Sequence, residues 1–194
     1  MTETALKELQ NTVLNEVVMK LFIASDIHGS AFYCQKMINA YKKENADKLV
    51  LLGDILYHGP RNDLPESYNP KQVIEMLNPI AEKILCVRGN CDTEVDQMVL
   101  DFPVLSDNAL IFADEITLLA AHGHKETPKL SKGSILLNGH THVPAFEEKD
   151  GYIRINPGSV SIPKENSEHG YIIFEDRTFI WKNLDGEIYR TEKI

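Results

Sequence analysis

Two histidines flank one threonine in Gly139-His140-Thr141-His142, close behind the apolar run Ile135-Leu136-Leu137. The same event recurs upstream. Asp26-Ile27-His28 follows Leu21-Phe22-Ile23-Ala24, and Gly53-Asp54 follows Leu49-Val50-Leu51-Leu52. Gly89-Asn90 follows Ile84-Leu85-Cys86-Val87, and His122-Gly123-His124 follows Ile116 to Ala121. Five short apolar runs each end in a metal-ligand residue type. If the runs are parallel strands of a sheet, their C-terminal ends share one edge, where open α/β sheets bind ligands. Carboxylates, a carboxamide and imidazoles then converge on a metal site, and the number of donors suits two ions.

Asp54 is the natural bridge between two ions, since a carboxylate offers two oxygens. Asp26 and His28 are two residues apart, as are His140 and His142. At a strand end that spacing puts both side chains on one face. Asn90 adds a neutral oxygen and His122 a further nitrogen. Two carboxylates against two dications leave a net charge of roughly +2, which suits a hydroxide plus a phosphodiester anion. Mixed N/O ligation without thiolate favours Mn²⁺, Fe²⁺ or Zn²⁺ over a structural cysteine-rich zinc site.

The elements that must hold these residues alternate from Lys20 onward: strands near 20–25, 48–53 and 83–88, with helices between them. Ser30 to Lys43 carries Met37, Ile38 and Tyr41 on one stripe. Asn69-Pro70 reads as N-cap and first residue of a helix that turns Val73, Ile74 and Leu77 inward. After residue 105 the pattern becomes β-rich. Leu110 to Ala113 and Ile116 to Ala121 read as a hairpin about Asp114-Glu115. Phe146 and Tyr152 to Ile155 read as another about Asp150-Gly151. Tyr171 to Phe174 and Thr178 to Trp181 follow, before a turn at Asp185-Gly186. Two sheets packed face to face, with helices outside, account for both halves. The polar, aromatic stretch from Asp54 to Asn69, including Tyr57-His58-Gly59-Pro60-Arg61-Asn62, leaves the same edge and is placed to line a substrate site.

The 194-residue chain is long enough to fold on its own core. Its first 18 residues read as an N-terminal extension, in which Leu6, Leu9, Val13 and Val17 recur at helical spacing. The net charge of −9 and the lack of a basic run argue against long nucleic acid as a partner, whose binding depends on Lys/Arg contacts to phosphate. A small anionic substrate stays open, because local metal charge outweighs the global balance. No apolar stretch approaches the ~20 residues of a membrane span. Three cysteines, with no pairing pattern and no secretory segment, point to the reducing cytoplasm.

Together, Asp26-Ile27-His28-Gly29, Gly53-Asp54, Gly89-Asn90-Cys91-Asp92, His122-Gly123-His124 and Gly139-His140-Thr141-His142 resemble the motif series of the calcineurin-like metallophosphoesterases. Val87-Arg88-Gly89-Asn90-Cys91-Asp92 and Asn156-Pro157-Gly158-Ser159 narrow the resemblance to the small bacterial and archaeal phosphodiesterase branch called YfcE-like. It implies an α/β fold over residues 19–194, a four-layer αββα sandwich of two packed mixed β-sheets. It implies a phosphodiesterase that hydrolyses a P–O ester bond by attack of a metal-bridging hydroxide. One ion would be held by Asp26, His28, Asp54 and His142, the other by Asp54, Asn90, His122 and His140. Mn²⁺ is the expected metal, with Fe²⁺, Zn²⁺, Ni²⁺ or Mg²⁺ as alternatives. A dimer or tetramer is compatible with the resemblance.

Many superfamily members have Gly-Asn-His where this chain has Gly89-Asn90-Cys91. That histidine is usually assigned to the leaving group. A thiol with an ordinary pKa of about 8.5 is a poorer partner for an alkoxide than imidazolium is. Diesters with acidic leaving groups are then the easier substrates, and His58 or His124 are the other candidate proton donors. Arg88 reads either as a phosphate contact or as half of a structural ion pair. Asn156 and Ser159 read as shaping a turn near the site, Cys34 and Cys86 as core, and His169 as surface. The rival readings are a phosphomonoesterase or nucleotide pyrophosphatase on the same site, or a non-catalytic scaffold like the retromer subunit.

Overall fold

The computed structural model describes residues 19–114, 116–126, 129–149 and 151–194; the expected helix before residue 19 lies outside them. Strands β1 (Leu21–Ala24), β2 (Lys48–Leu51) and β3 (Ile84–Cys86) are parallel neighbours, as the alternating first half requires. They form half of a six-stranded sheet, ordered β11-β10-β9-β1-β2-β3. Its other half is the antiparallel run β9 (Gly170–Glu175), β10 (Thr178–Asn183) and β11 (Ile188–Lys193). Strand β9 pairs antiparallel with β1 and so brings the C-terminal meander beside the first strand.

The second sheet runs β4-β5-β6-β8-β7. It contains β4 (Asn108–Ala113), β5 (Ile116–Ala121), β6 (Ile135–Leu137), β7 (Ala145–Lys149) and β8 (Tyr152–Asn156). Both expected hairpins form, β4 with β5 and β7 with β8, while β5, β6 and β8 are parallel. Both sheets are therefore mixed.

The two inner faces share one core. Leu21, Ile23, Val50 and Phe174 meet Leu118, Ala120, Ile135 and Ile155 across the sandwich. Trp181 is fully buried there, and its indole N–H donates to the Asn156 carbonyl at 2.9 Å, so its polar atom is not stranded. Each such aliphatic side chain contributes about 1.5–3 kcal/mol by leaving water.

The outer face of the six-stranded sheet is covered by α1 (Ala31–Glu44) and α2 (Pro70–Leu77). In α1, Cys34, Met37, Ile38 and Tyr41 form the buried stripe against Phe22 and Leu51. The Ser30 hydroxyl caps it by accepting from Tyr33 N at 3.2 Å. It stops at Asn45, which takes the left-handed conformation at φ 51°. In α2, Asn69 caps and Pro70 opens the helix, burying Val73 and Leu77. A short α3 (Glu94–Gln97) follows β3. Among the described residues every helix precedes β4. The outer face of the five-stranded sheet is covered by Leu130 and Tyr152 packed on Leu119, Ala121 and Leu136. No helix among the described residues is long and apolar enough to cross a membrane.

Because β1, β2 and β3 are parallel, and β5 and β6 are parallel in the facing sheet, the segments that leave their C-terminal ends carry Asp26, Asp54, Asn90, His122 and His140.

Candidate metal centre

The converging side chains do not lie on extended strand ends. Asp26, His28, Asp54, His140 and His142 all have positive φ, at 59°, 49°, 57°, 67° and 63°. The two-residue spacings bring Asp26 to His28, and His142 to both, through left-handed turns rather than strand alternation. Such conformations cost roughly 1–3 kcal/mol each at non-glycine residues and cluster at functional sites. Backbone bonds hold them: Asp26 N donates to Gly53 O at 3.1 Å, His28 N to Asp54 O at 2.9 Å, and Gly139 N to His122 O at 3.0 Å.

Three imidazoles share one arrangement. His28 Nδ1 lies 2.8 Å from Tyr57 O, His122 Nδ1 2.6 Å from Leu52 O, and His142 Nδ1 2.6 Å from Ile162 O. A carbonyl only accepts, so each Nδ1 carries the hydrogen and each neutral ring keeps its lone pair on Nε2. Those Nε2 atoms point at the carboxylates. His142 and His28 are 3.3 and 3.6 Å from Asp26 Oδ1, and His122 is 3.5 Å from Asp54 Oδ2. His28 Nε2 is also 3.6 Å from Asp54 Oδ2 and 3.2 Å from His142 Nε2. Two lone pairs facing at that distance are reconciled by a proton on one ring or by a cation between them. Asp26 Oδ1 is buried without a hydrogen-bond partner, an uncompensated anionic oxygen of the kind that a metal satisfies.

The electrostatics are those of a cation site. Burial opposes ionisation of Asp26, but the adjacent imidazoles of His142 and His28 hold its carboxyl well below the usual range. Asp54 is likewise held low by His122 against burial. Burial alone would depress His122, yet Asp54 and Asp26 raise it to about 9. Without metal, protons do part of the neutralising, and a metal that binds must displace them.

Asn90 and His140 complete the set. Asn90 is exposed, with its Oδ1 3.1 Å from His122 Nε2. The His140 ring lies 5.0 Å from that of His122, and its backbone N–H donates to Asp26 Oδ2 at 3.1 Å. Burial and the neighbouring His122 lower the pKa of His140.

Cys91 lies beneath the loop after Asp54. Its backbone N–H donates to Asp54 Oδ1 at 2.8 Å, and its sulfur lies 3.2 Å from Asn90 Nδ2. Burial and the charge of Asp54 push the thiol well above its ordinary range, so it stays protonated. His58 stands edge-on to Tyr57 and Tyr68. The Nδ1 atoms of both His58 and His124 are buried without a partner. The His124 ring is 5.4 Å from that of His122, and burial lowers its pKa. The Arg88 guanidinium is engaged away from the carboxylates, at 3.2 Å from Asp92 O and 3.4 Å from Glu94 Oε1.

Sequence reasoning quoted Asp92 without giving it a role. Its buried carboxylate accepts from Asp54 N at 2.8 Å, Ile55 N at 2.9 Å and Gly89 N at 2.7 Å, and so ties the Asp54 turn to the Asn90 turn. Ser159 and Ser161 similarly donate to the Asp26 carbonyl at 2.8 and 3.1 Å. Asn156 Nδ2 donates to Gly139 O at 2.8 Å and so steadies the His140–His142 turn. Gly89 is a true steric requirement, since a Cβ there would sit 2.1 Å from Asp54 Oδ1. Asp92→Asn turns one acceptor into a donor facing backbone N–H groups. It is expected to weaken metal binding by about 10-fold, the low end for support of ligands from outside the coordination sphere. A Mn²⁺ titration of both proteins checks this; equal affinity would exclude Asp92 as an organiser.

A double layer of mixed sheets whose linked turns gather carboxylates and oriented imidazoles is the architecture of a metallophosphoesterase. The sequence profile described as the calcineurin-like phosphoesterase superfamily domain matches residues 19–178, and the chain belongs to that superfamily. It is 44% identical over 158 residues to phosphodiesterase YfcE of Escherichia coli K12, covering 79% of this chain and 86% of that one. The solved structure of the E. coli YfcE phosphoesterase superposes with a TM-score of 0.86 at 41% identity, covering 91% of this chain and 100% of that one. Vps29 of Entamoeba histolytica, solved with Zn²⁺, shares the fold at 17% identity with a TM-score of 0.57, covering 91% and 98%.

Proposed function

We propose that this protein hydrolyses phosphodiesters with two divalent ions held at the Asp26–Asp54 centre. The observation that carries the reading is the set of three imidazoles, His28, His122 and His142. Each is locked by a main-chain carbonyl at Nδ1, and each aims Nε2 at a carboxylate oxygen of Asp26 or Asp54, of which Asp26 Oδ1 is buried without a partner. The resemblance to phosphodiesterase YfcE supports the reaction class.

Asp26, His28, Asp54 and His142 would hold one ion, and Asp54, Asn90, His122 and His140 the other. Bound there, the ions supply Lewis acidity and an activated water for in-line displacement at phosphorus. Asp54 turns Oδ2 toward both His28 and His122, while its Oδ1 accepts from Cys91 N, on a turn that Asp92 fixes. The Nδ1–carbonyl bonds keep the three rings from rotating, so no reorganisation is needed when an anion arrives. Cys91 contributes an uncharged thiol beside Asp54, and His58 and His124 remain the candidate proton donors. The donor set of carboxylate, imidazole and carboxamide suits Mn²⁺, with Fe²⁺, Zn²⁺, Ni²⁺ and Mg²⁺ as the competitors. The substrate is a small phosphoester anion. The cytoplasm is the compartment in which three free cysteines are stable.

The test is metal analysis of the purified protein together with cleavage of a bis-aryl phosphodiester and its monoester. Preference for the monoester would favour the phosphomonoesterase reading, and a metal-free inactive protein the scaffold reading. A finer prediction separates the two histidines of one motif. His142 sits beside His28 and Asp26, whereas His140 sits beside His122. Alanine at either is expected to remove about one metal per chain and to cut turnover sharply, as loss of one ion of a two-metal site does. Anomalous scattering that put both imidazoles on one ion would overturn the assignment.

A further inference from the structure

Hydrolysis of a phosphodiester gathers negative charge on the phosphoryl oxygens, and protein cations that face those oxygens add to what metal ions supply. Arg88, a phosphate contact in one reading of the sequence, is held by the Asp92 carbonyl and Glu94. Lys125, next to His124 in the chain, is paired with Asp107 at 2.6 Å. Arg61 is the cation left over. It is the one Lys or Arg between Asp54 and Asn69, and it is exposed. Among the described residues no carboxylate pairs with it, although Asp63 and Glu66 share its loop.

The loop that carries Arg61 is built into the wall of the metal centre. At its start, Tyr57 O accepts from His28 Nδ1 at 2.8 Å. Gly59, at φ 78°, passes so close to Cys91 that a Cβ on it would lie 3.0 Å from Sγ. Asn62 Nδ2 donates to His58 O at 2.8 Å and closes the turn on which Arg61 sits. At the far end, Ser30 Oγ donates to Glu66 O at 2.6 Å and Ala31 N to Ser67 O at 3.1 Å, just after His28. The Tyr68 ring packs over Gly29, where a Cβ would meet it at 2.6 Å. Arg61 is two residues from Gly59 and so within about 7 Å of it along the chain. Its charge is felt at the centre: behind burial and His122, Arg61 is among the groups that lower the pKa of His140. A guanidinium without an internal partner, on a turn braced against the centre, is an anion contact held ready.

We propose that Arg61 is the substrate-binding arginine of this centre, its guanidinium donating to phosphoryl oxygens of the diester that the ions leave uncovered. The inference rests on the phosphodiesterase reading given above. A planar fork of N–H donors suits two oxygens on one phosphorus, which a lysine cannot match. The contact is made to substrate and transition state alike and is open to solvent. It therefore acts chiefly on KM, and salt weakens it.

The experiment compares Arg61→Gln and Arg61→Lys with the wild type, all loaded with Mn²⁺. Turnover of a bis-aryl diester is measured from low to high NaCl, and the affinity for inorganic phosphate by calorimetry. Arg61→Gln is expected to raise KM and the Kd for phosphate about tenfold at low salt, the scale of one charge-assisted hydrogen bond. Metal content and Tm stay unchanged, and kcat moves much less than KM. The gap narrows as NaCl rises, and Arg61→Lys recovers part of it. Equal phosphate affinity in Arg61→Gln and the wild type would overturn the proposal, as would a loss that salt leaves unaltered or a wild type that binds no phosphate. A wild type that binds metal and phosphate but cleaves no diester would instead overturn the phosphodiesterase reading, and the phosphate affinities would still decide the role of Arg61.

Discussion

Asp54→Asn is expected to lower phosphodiester turnover by about 10³-fold or more and to reduce bound metal, while the protein stays folded. The fold-change corresponds to several kcal/mol of lost transition-state stabilisation, the scale on which a metal-bound site works. Asp54 is the carboxylate that both halves of the centre share. Its Oδ2 is 3.6 Å from His28 Nε2 and 3.5 Å from His122 Nε2, while Oδ1 accepts from Cys91 N at 2.8 Å. Asparagine is the informative replacement because Asp54 sits at φ 57°, a conformation that Asn tolerates and Ala does not. The amide oxygen can keep the Cys91 bond, and the loss of charge relieves repulsion from Asp26. The metal-free variant should therefore melt within a few degrees of the metal-free wild type. Metal content by mass spectrometry, turnover of a bis-aryl diester and a thermal melt check the three parts. Near-wild-type turnover with metal loaded would remove Asp54 as the bridge and with it the two-ion reading.

The strands that carry this site were legible because each is a short apolar run bounded by polar turns. β1, β2, β5 and β6 all end within a few residues of the expected positions. The caps of α1 and α2 were legible for a similar reason: Ser30 and Asn69-Pro70 act locally, on N–H groups three residues away. The backbone at the donors was not. Strand alternation puts Asp26 with His28, and His140 with His142, on one face; in the structure Asp26 and His28 do meet, whereas His142 turns to His28 and His140 to His122, through left-handed turns stabilised by bonds to loops from other strands. Asp92 was opaque for the same reason, since two of its three N–H partners lie 37 and 38 residues upstream. The turn between β9 and β10 is another case. Asp176 and Arg177 both take positive φ without any glycine signal, in a two-residue connection whose geometry the paired strands impose. Local rules located the elements; contacts across the sheet edge set the geometry of the site.

Cys91→His is the substitution expected to gain activity, and it tests how the leaving group departs. In the native protein burial and Asp54 keep the thiol protonated and hold its pKa far above neutrality, so it is a weak acid next to the reacting centre. An alkoxide leaving from phosphorus then gets little help from this position, and rates should fall steeply as the leaving group becomes more basic. Aryl diesters should be cleaved well and alkyl monoesters slowly. An imidazole here can donate a proton near neutral pH, which is worth about 10²-fold at the low end of general acid catalysis. The gain should be confined to poor leaving groups, because an aryloxide needs no proton. Space is the physical limit: Gly59 passes close enough that a Cβ on it would lie 3.0 Å from Cys91 Sγ, so a larger ring must displace that loop. A series of aryl and alkyl esters, assayed on both proteins with the same metal, separates the possibilities. A shallow leaving-group dependence in the native protein, unchanged by Cys91→His, would place the proton on another group. His58 and His124, whose buried Nδ1 atoms have no partner among the described residues, are where that proton would then be sought.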